Sequence, residues 1–379
     1  MKKILHITKM KGISGSENHL FTLLSGLNHD QFEVSLSILA EPQHRPLLED
    51  FRENLSNAGV TVSIVTITRH LDIGLIWRLR QEMLRQRVDI VHTHLIHADL
   101  HGTIAAKLAG VATILSSKHN DDDFRHNPVI GRLNRLLTRL HTKSVVISDW
   151  IGTFNRDVEG VPAEKIVRIH YGLQPETVTC HADPDFLRRE FDIPAHAPVI
   201  GTIGRLTEQK GHTYWLDALK PVIAEFPDLR VFFIGNGELQ ESLEQQARQL
   251  GIAQNLIFTG YRTDALKLLS GFDFFVFPSL WEGFGLVILE AMALKKAVIG
   301  SRISAIPESV GDGETGILVP AKDVDGLTQA MQKLLRDPAL ARSMGDAGFR
   351  RLQTEFTVEK MVHETEQLYC EVLGLERRA

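Results

Sequence analysis

Apolar positions along the chain fall into short runs, separated by stretches in which they recur every three or four residues. Runs at residues 4–8, 33–39, 60–64, 89–94, 112–116 and 144–148 have the length of buried strands. Between most of them lies helical spacing, as at Ile76, Leu79 and Met83. Strands alternating with helices predict a parallel sheet covered on both faces. The rhythm breaks at 172–198, where Pro175, Pro184 and Pro194 stand among polar residues, and residues 176–198 read as a linker. It then restarts, with strands expected at 199–203, 229–234, 256–259, 274–277, 297–300 and 315–318. Helices are expected at 212–225, 239–249, 286–294 and 324–335, and two more from Pro338 onward. The pattern predicts an α/β protein with two doubly wound domains, residues 1–175 and 199–355, and a cleft between them. A last helix in 356–379 is expected to return to the first domain.

Composition narrows the class. With 379 residues, 43% hydrophobic and 23% charged, the chain has the balance of a globular protein with more than one core. No run of about 18 apolar residues exists to make a membrane-spanning helix. The N-terminus turns polar too soon for a secretory signal and reads as a first strand. Two isolated cysteines, Cys180 and Cys370, offer neither a disulfide framework nor a zinc site, which fits a reducing cytoplasm. Residues 1–175 carry 21 Lys+Arg against 18 Asp+Glu, and the remainder 21 against 29. A basic first half and an acidic second half point to domains with different partners. The excess is too small for a nucleic-acid binder, and no nucleic-acid-reading motif accompanies it.

Ligands of doubly wound domains sit beyond the carboxyl ends of strands, so candidate chemistry is sought just after them. In residues 278–293, PSLWEGFGLVILEAMA, a loop with Glu282, Gly283, Phe284 and Gly285 leads into a helix that starts near Leu286 and carries Glu290. The glycines permit close backbone approach, and the free N–H groups of the helix start bind oxygen. Two carboxylates there suit hydrogen bonds to sugar and ribose hydroxyls; a plain acidic helix start is the simpler alternative. In residues 201–211, GTIGRLTEQKG, Arg205 and Lys210 flank a loop before a helix at His212, a pattern for a diphosphate or for two solvated cations. In residues 9–17, KMKGISGSE, the loop Gly12, Gly15, Ser16 precedes a helix near Glu17; it matches neither GxGxxG nor the phosphate loop GxxxxGK[ST], and an ordinary turn capped by Ser16 is the alternative.

Residues 12–17, Arg205 with Lys210, and the Glu282…Glu290 motif together resemble glycosyltransferase family four, the retaining nucleotide-sugar transferases of the GT-B fold, over essentially the whole chain. The resemblance implies two Rossmann-like domains, the first binding the acceptor and the second the donor. It implies that Arg205 and Lys210 hold the donor diphosphate, Glu282 contacts the sugar, and Glu290 contacts the ribose. The backbone of Gly283, Phe284, Gly285 and Leu286, with Gly15 and Ser16 opposite, completes the donor site, and Arg262 is a candidate on the nucleobase side. His119, in SSKHNDDD, falls where the family has a histidine that contacts the donor sugar. Expected catalytic residues are therefore His119, Arg205, Lys210 and Glu282. Gly12, Glu17, His94 and His97 are expected on the acceptor side; Ile13 departs from a glycine common in the family, which touches this loop's role. The implied donor is a UDP- or GDP-sugar and the acceptor a glycan or lipid-linked molecule, with no separate cofactor.

Several further features bear on chemistry. His92, His94, His97 and His101 invite a metal reading, but no cysteine is near, and the acceptor-side reading is preferred with no metal expected. Asp121, Asp122 and Asp123 read as an acidic loop near the acceptor. In residues 128–143, PVIGRLNRLLTRLHTK, apolar residues at helical spacing alternate with Arg132, Arg135, Arg139 and Lys143. The simpler reading is a core-facing helix with a solvated basic face; the alternative is a basic helix that meets anionic lipid on the inner face of the cell membrane. Rival functions are a nucleotide-sugar epimerase of the same fold, a non-catalytic sugar-nucleotide-binding subunit, and a dinucleotide-dependent dehydrogenase. The last lacks both GxGxxG after the first strand and an acidic residue after the second.

Overall fold

The structure is a computed structural model that describes residues 1–67, 72–120 and 128–375. It divides into two units, Met1–Gly172 with Val358–Ala379, and Leu173–Thr357.

The first unit is built on seven parallel strands: β1 (Lys2–Lys9), β2 (Phe32–Ala40), β3 (Thr61–Thr66), β4 (Ile90–His94), β5 (Thr113–Lys118), β6 (Lys143–Val146) and β7 (Ile166–Arg168). Their order is β3-β2-β1-β4-β5-β6-β7, so the winding reverses between β1 and β4. A strand covered on both faces must be apolar on both, and β1 is: Ile4 packs with Leu20, Leu36 and Tyr369, while Leu5 and Ile7 pack with Leu75, Leu79 and Ala105 on the other side. The helix Val358–Leu373 adds Met361, Val362, Leu368 and Tyr369 to the first of these cores, so the end of the chain is part of this unit.

The second unit holds six parallel strands: β8 (Val199–Ile203), β9 (Arg230–Ile234), β10 (Leu256–Gly260), β11 (Phe274–Phe277), β12 (Ala297–Ser301) and β13 (Gly316–Val319). Their order is β10-β9-β8-β11-β12-β13, with the reversal between β8 and β11. Trp215, Leu216, Phe233, Val276 and Met331 form its core. Residues 173–198 carry two short helices, Pro175–Thr179 and Phe186–Glu190, and bury Leu187.

β7 was not expected from the sequence. Its three residues, one of them Arg168, are too few to show an alternation. Among the described residues no helix is long and apolar enough to cross a membrane. Asp121, Asp122 and Asp123, read above as an acidic loop, lie outside the described residues.

Candidate active site

In the second unit the two expected donor segments leave β8 and β11, the strands between which the winding reverses. They are locked to each other. Leu280 donates its N–H to the Gln209 carbonyl at 2.7 Å, and the Gln209 amide donates to the Trp281 carbonyl at 3.1 Å. Gly211 has φ +64°, and a Cβ there would stand 2.1 Å from the Pro278 carbonyl oxygen, so only glycine lets the loops meet. A Cβ on Gly235, after β9, would likewise stand 2.0 Å from the Gly204 carbonyl oxygen.

This contact brings Lys210 and Glu282 together, 72 residues apart in sequence, with Nζ 2.5 Å from Oε2. Lys210 also sits 4.9 Å from the centre of the Phe277 ring. Arg205, on the same loop, is exposed; among the described residues it forms no ion pair, and its one side-chain bond is a long one of 3.5 Å to Gln209. The helices that begin here, His212–Glu225 and Leu286–Ala293, have glycines as N-caps, Gly211 and Gly285, and no side-chain cap. Ser148, Asp323 and Asp337 by contrast cap their helices. Two helix starts with uncapped N–H groups and two cations make an electropositive rim beyond β8 and β11. His212 at the first start stays neutral near pH 7, since burial and the Lys210 charge push it down to about 4.

The buried hydroxyls of Thr207, Ser279 and Ser304 find no partner here, among the described residues. They follow β8, β11 and β12, the edge where a polar ligand of this sheet would lie. Sequence reasoning passed over all three, because a lone Ser or Thr in a loop carries no signal of its own.

Glu290 projects from the helix that begins at Leu286. It is half-buried and no described side chain pairs with it, and burial raises its carboxyl to about 7. Phe284 is buried with its ring edge-on to Phe356. Arg262 places four of its five N–H groups on Glu190 and Asp264, at 2.7 to 3.0 Å. A base contact by Arg262 would have to share that guanidinium.

In the first unit the loop after β1 enters the helix Gly15–Gly26 through a capping box. Ser14, not Ser16, is the N-cap, and Glu17 accepts from the Ser14 N–H at 3.0 Å, the Ser14 hydroxyl, and the Ser16 hydroxyl at 3.0 Å. Gly12 faces open space, so the fold itself does not demand glycine there. A small cavity between this loop and β4 is lined by Ser16, Glu17, His94 and His119. Beside it Leu95 has φ 68°, a strained left-handed conformation for a non-glycine residue at the start of its helix.

Behind the cavity runs a buried chain of hydrogen bonds. His6 and His92 are register partners on β1 and β4, and alternation brings His94 to the same face. Tyr171 pairs with His119 Nδ1 (2.6 Å), His119 Nε2 with His94 Nδ1 (3.1 Å), and His94 Nε2 with His6 Nδ1 (2.9 Å). The Tyr369 hydroxyl bridges His6 Nε2 (3.1 Å) and His92 Nδ1 (2.9 Å), and His92 Nε2 reaches Ser117 (2.8 Å). Each ring can donate at one nitrogen and accept at the other, so the chain is satisfied with every imidazole neutral. Burial first, and neighbouring imidazoles second, hold His6, His92 and His94 well below the usual histidine range. The expected histidine group divides: His92 and His94 join this chain, while His101 bonds the His97 carbonyl and the Asp72 N–H. The nitrogens close enough to share an ion belong instead to His6, His92 and His94, within 4.8 Å of one another. Both nitrogens of each of these three rings have protein partners, so an ion would have to displace them.

Two family models match this chain: Glycosyltransferase Family 4 over residues 13–177, and Glycosyl transferases group 1 over residues 183–351. A glycogen synthase of Mycobacterium tuberculosis is 30% identical, over 77% of this chain and 71% of its own. The chain belongs to glycosyltransferase family 4. An Escherichia coli UDP-Gal:alpha-D-GlcNAc-diphosphoundecaprenol alpha-1,3-galactosyltransferase is similar over nearly all of both chains, 98% and 97%, at 25% identity. The structure of Anabaena HepE in complex with UDP and glucose superposes with a TM-score of 0.84, over 98% of this chain and 100% of that one, at 20% identity. The fold is that of the GT-B glycosyltransferases.

Within the glycosyltransferase, Glu282 and Glu290 stand in opposite electrostatic situations. Glu282 is neutralised by Lys210; Glu290 has only its burial. A raised carboxyl pKa means that folding disfavours the ionised form. The cost is absent below pH 4.5, grows between 4.5 and 7, and is complete above 7. The transferase variant Glu290→Gln is therefore expected to gain about 2–3 kcal/mol in urea denaturation at pH 8 and nothing at pH 4.5. Equal stability of variant and parent at pH 8 would show that the carboxylate is already solvated.

Proposed function

We propose that the protein is a retaining, metal-independent hexosyltransferase that moves a sugar from a UDP- or GDP-sugar to a glycan or lipid-linked acceptor in cell-envelope polysaccharide synthesis. The observation that carries this reading is the rim at the reversal of the second sheet: Arg205 open, Lys210 held by Glu282, two helix starts, and three unpartnered hydroxyls. In the reaction the bond from sugar C1 to the diphosphate oxygen breaks and a bond to the acceptor oxygen forms. The acceptor's proton passes to the leaving phosphate oxygen. Negative charge gathers on the diphosphate, where Arg205, Lys210 and the helix N–H groups are already placed to stabilise it. Glu282 orients Lys210 and accepts from sugar hydroxyls, and Glu290 accepts from the ribose. His119 and His94 lie on the acceptor side, positioned by the imidazole chain. The test is a thermal-shift screen against UDP-, GDP- and ADP-sugars in EDTA, followed by product NMR. One donor should stabilise the protein without added metal, and the product should keep the donor's anomeric configuration. Inversion, or a strict need for a divalent ion, would sink the reading.

The helix Pro128–Leu140 supports a membrane-facing acceptor domain on the cytoplasmic side. It turns Asn134, Leu137 and Thr138 inward and leaves Leu133, Leu136 and Leu140 exposed at 38%, 57% and 37%, alongside Arg132, Arg135 and Arg139. Three of the four leucines expected to face the core are thus turned outward: Asn134 bonds the buried Glu159, and that polar pair shares the inner face with Leu137. Leucines among arginines on an outer face suit an anionic lipid surface, each cation adding roughly 1 kcal/mol. Arg132, Arg135 and Arg139 changed together to Ser should reduce co-sedimentation with anionic vesicles several-fold at low salt. Parent protein that fails to sediment at low salt would leave the helix without this role.

A further inference from the structure

The second unit has a cavity of about 360 Å³ at the amino ends of its strands, opposite the rim just described. It lies under Pro198, Asp273 and Lys296, which immediately precede β8, β11 and β12, and it is closed by the helices Val324–Arg336 and Pro338–Glu355. Strands of four or five residues place it roughly 15 Å from the carboxyl-end loops. Its volume falls in the range of small-molecule sites and corresponds to about a dozen waters.

The charges around it are lopsided. Arg188, Lys295, Lys296 and Arg342 line it against one carboxylate, Asp273. Asp273 holds the Val199 N–H at 2.7 Å, and no described carboxylate lies within ion-pair distance of Lys296 or Arg342. Among the described residues the Arg188 guanidinium bonds only the carbonyls of Pro194 and Ala197, at 2.8 and 2.9 Å. Of these four cations only Lys295 has an ion pair among the described residues, to Asp346 at 3.1 Å. Lys296 is half-buried, and its desolvation lowers its pKa against the opposing pull of the Asp273 charge.

The turn that presents these lysines is built rigidly. Lys295 has φ 56°, and a Cβ on Gly345 would stand 1.9 Å from the Lys295 carbonyl oxygen, so the helix Pro338–Glu355 packs directly on this backbone. Leu335 and Pro338 complete the wall with apolar surface. Fixed cations over an apolar wall fit an anionic group on a small carbon body.

We propose that this cavity is a second binding site, distinct from the donor site, for a small phosphate-bearing molecule, with Lys296, Arg188 and Arg342 holding the phosphate. The same chemistry serves free phosphate and a phosphate monoester, and two probes separate them.

The experiment is a thermal-shift titration of the full chain with ribose 5-phosphate and with inorganic phosphate, with ribose and sodium chloride at matched ionic strength as controls. Three variants accompany the parent: Lys296→Met, Arg342→Gln and Lys210→Met. A saturable shift is expected with a phosphate probe and not with ribose. Lys296→Met should weaken it at least tenfold and Arg342→Gln several-fold, while Lys210→Met, which disables the donor site, leaves it in place. Arg342 is exposed, so its variant keeps the fold. Tighter binding of the ester identifies a monoester as the occupant, and equal binding identifies free phosphate; both uphold the site. No saturable shift with either probe overturns it, as does a shift that Lys210→Met abolishes and Lys296→Met spares.

Discussion

Unfolding free energy should fall steeply as pH drops below 6.5, by several kcal/mol within a single unit. The cause is the imidazole chain of the first unit together with His19, whose ring packs against Tyr171 beside it at 3.9 Å between centroids. His6, His19, His92 and His94 are all held neutral by burial, well below the value they take in the unfolded chain. When pH falls through 6.5 the unfolded chain binds protons that the native state refuses, so stability is lost on the acid side and is fully present above 6.5. Each such histidine removes about 1.4 kcal/mol per pH unit, and four together approach about 5 kcal/mol per unit between pH 6 and 5. Against a typical total of about 5–15 kcal/mol, that is enough to unfold the domain near pH 5. His141 and His212, pushed down to about 4 by burial, add to the slope as far as that value. Urea denaturation from pH 7.5 to 5 measures it, and His92→Gln should reduce the slope by about one proton. A slope near one proton in the parent would mean that most of these imidazoles are already protonated in the native protein.

Where the sequence was legible, one element's own residues held the signal. Strands covered on both faces are apolar without interruption, so twelve of the thirteen, all but β7, stood out as runs. The two loops after β8 and β11 were legible as a candidate site because glycines and charges fall just after strands, and the structure closes Lys210 on Glu282 across 72 residues. What stayed hidden depends on partners distant in sequence. His92, His94, His97 and His101 looked like one group, yet His92 and His94 are linked through His6, on the neighbouring strand, and the Tyr369 hydroxyl. The helix Pro128–Leu140 misled for a related reason. Apolar periodicity cannot register a buried polar cluster, and here Asn134, Glu159, Lys118 and Asp99 lie beneath the helix and adjoining sheet. The helix start at Gly15 was misjudged although its signal was present: Ser14 and Glu17 are spaced as a capping box.

Lys210→Ala should lower transfer at least a hundredfold with the fold intact. Lys210 is the cation that the two loops bring closest to the helix starts. In the resting protein its charge is balanced by Glu282 at 2.5 Å and rests against Phe277. A ligand diphosphate would draw on a cation already oriented, with little rearrangement at the moment charge develops. Removing one such preorganised donor costs about 2.7–4 kcal/mol of transition-state stabilisation in comparable sites. The substitution also strips Glu282 of its partner, leaving a carboxylate only 15% exposed beside the proposed diphosphate site. Two losses then act in the same direction, on the leaving diphosphate and on the orientation of the sugar. Glu282→Gln separates them: it keeps the Lys210 charge and should cost less in turnover than Lys210→Ala while altering sugar selectivity. Steady-state turnover with the donor found in the thermal-shift screen, alongside thermal denaturation of each variant, reads both effects. Near-normal turnover by a folded Lys210→Ala protein would remove Lys210 from the diphosphate site and with it the assignment of the rim.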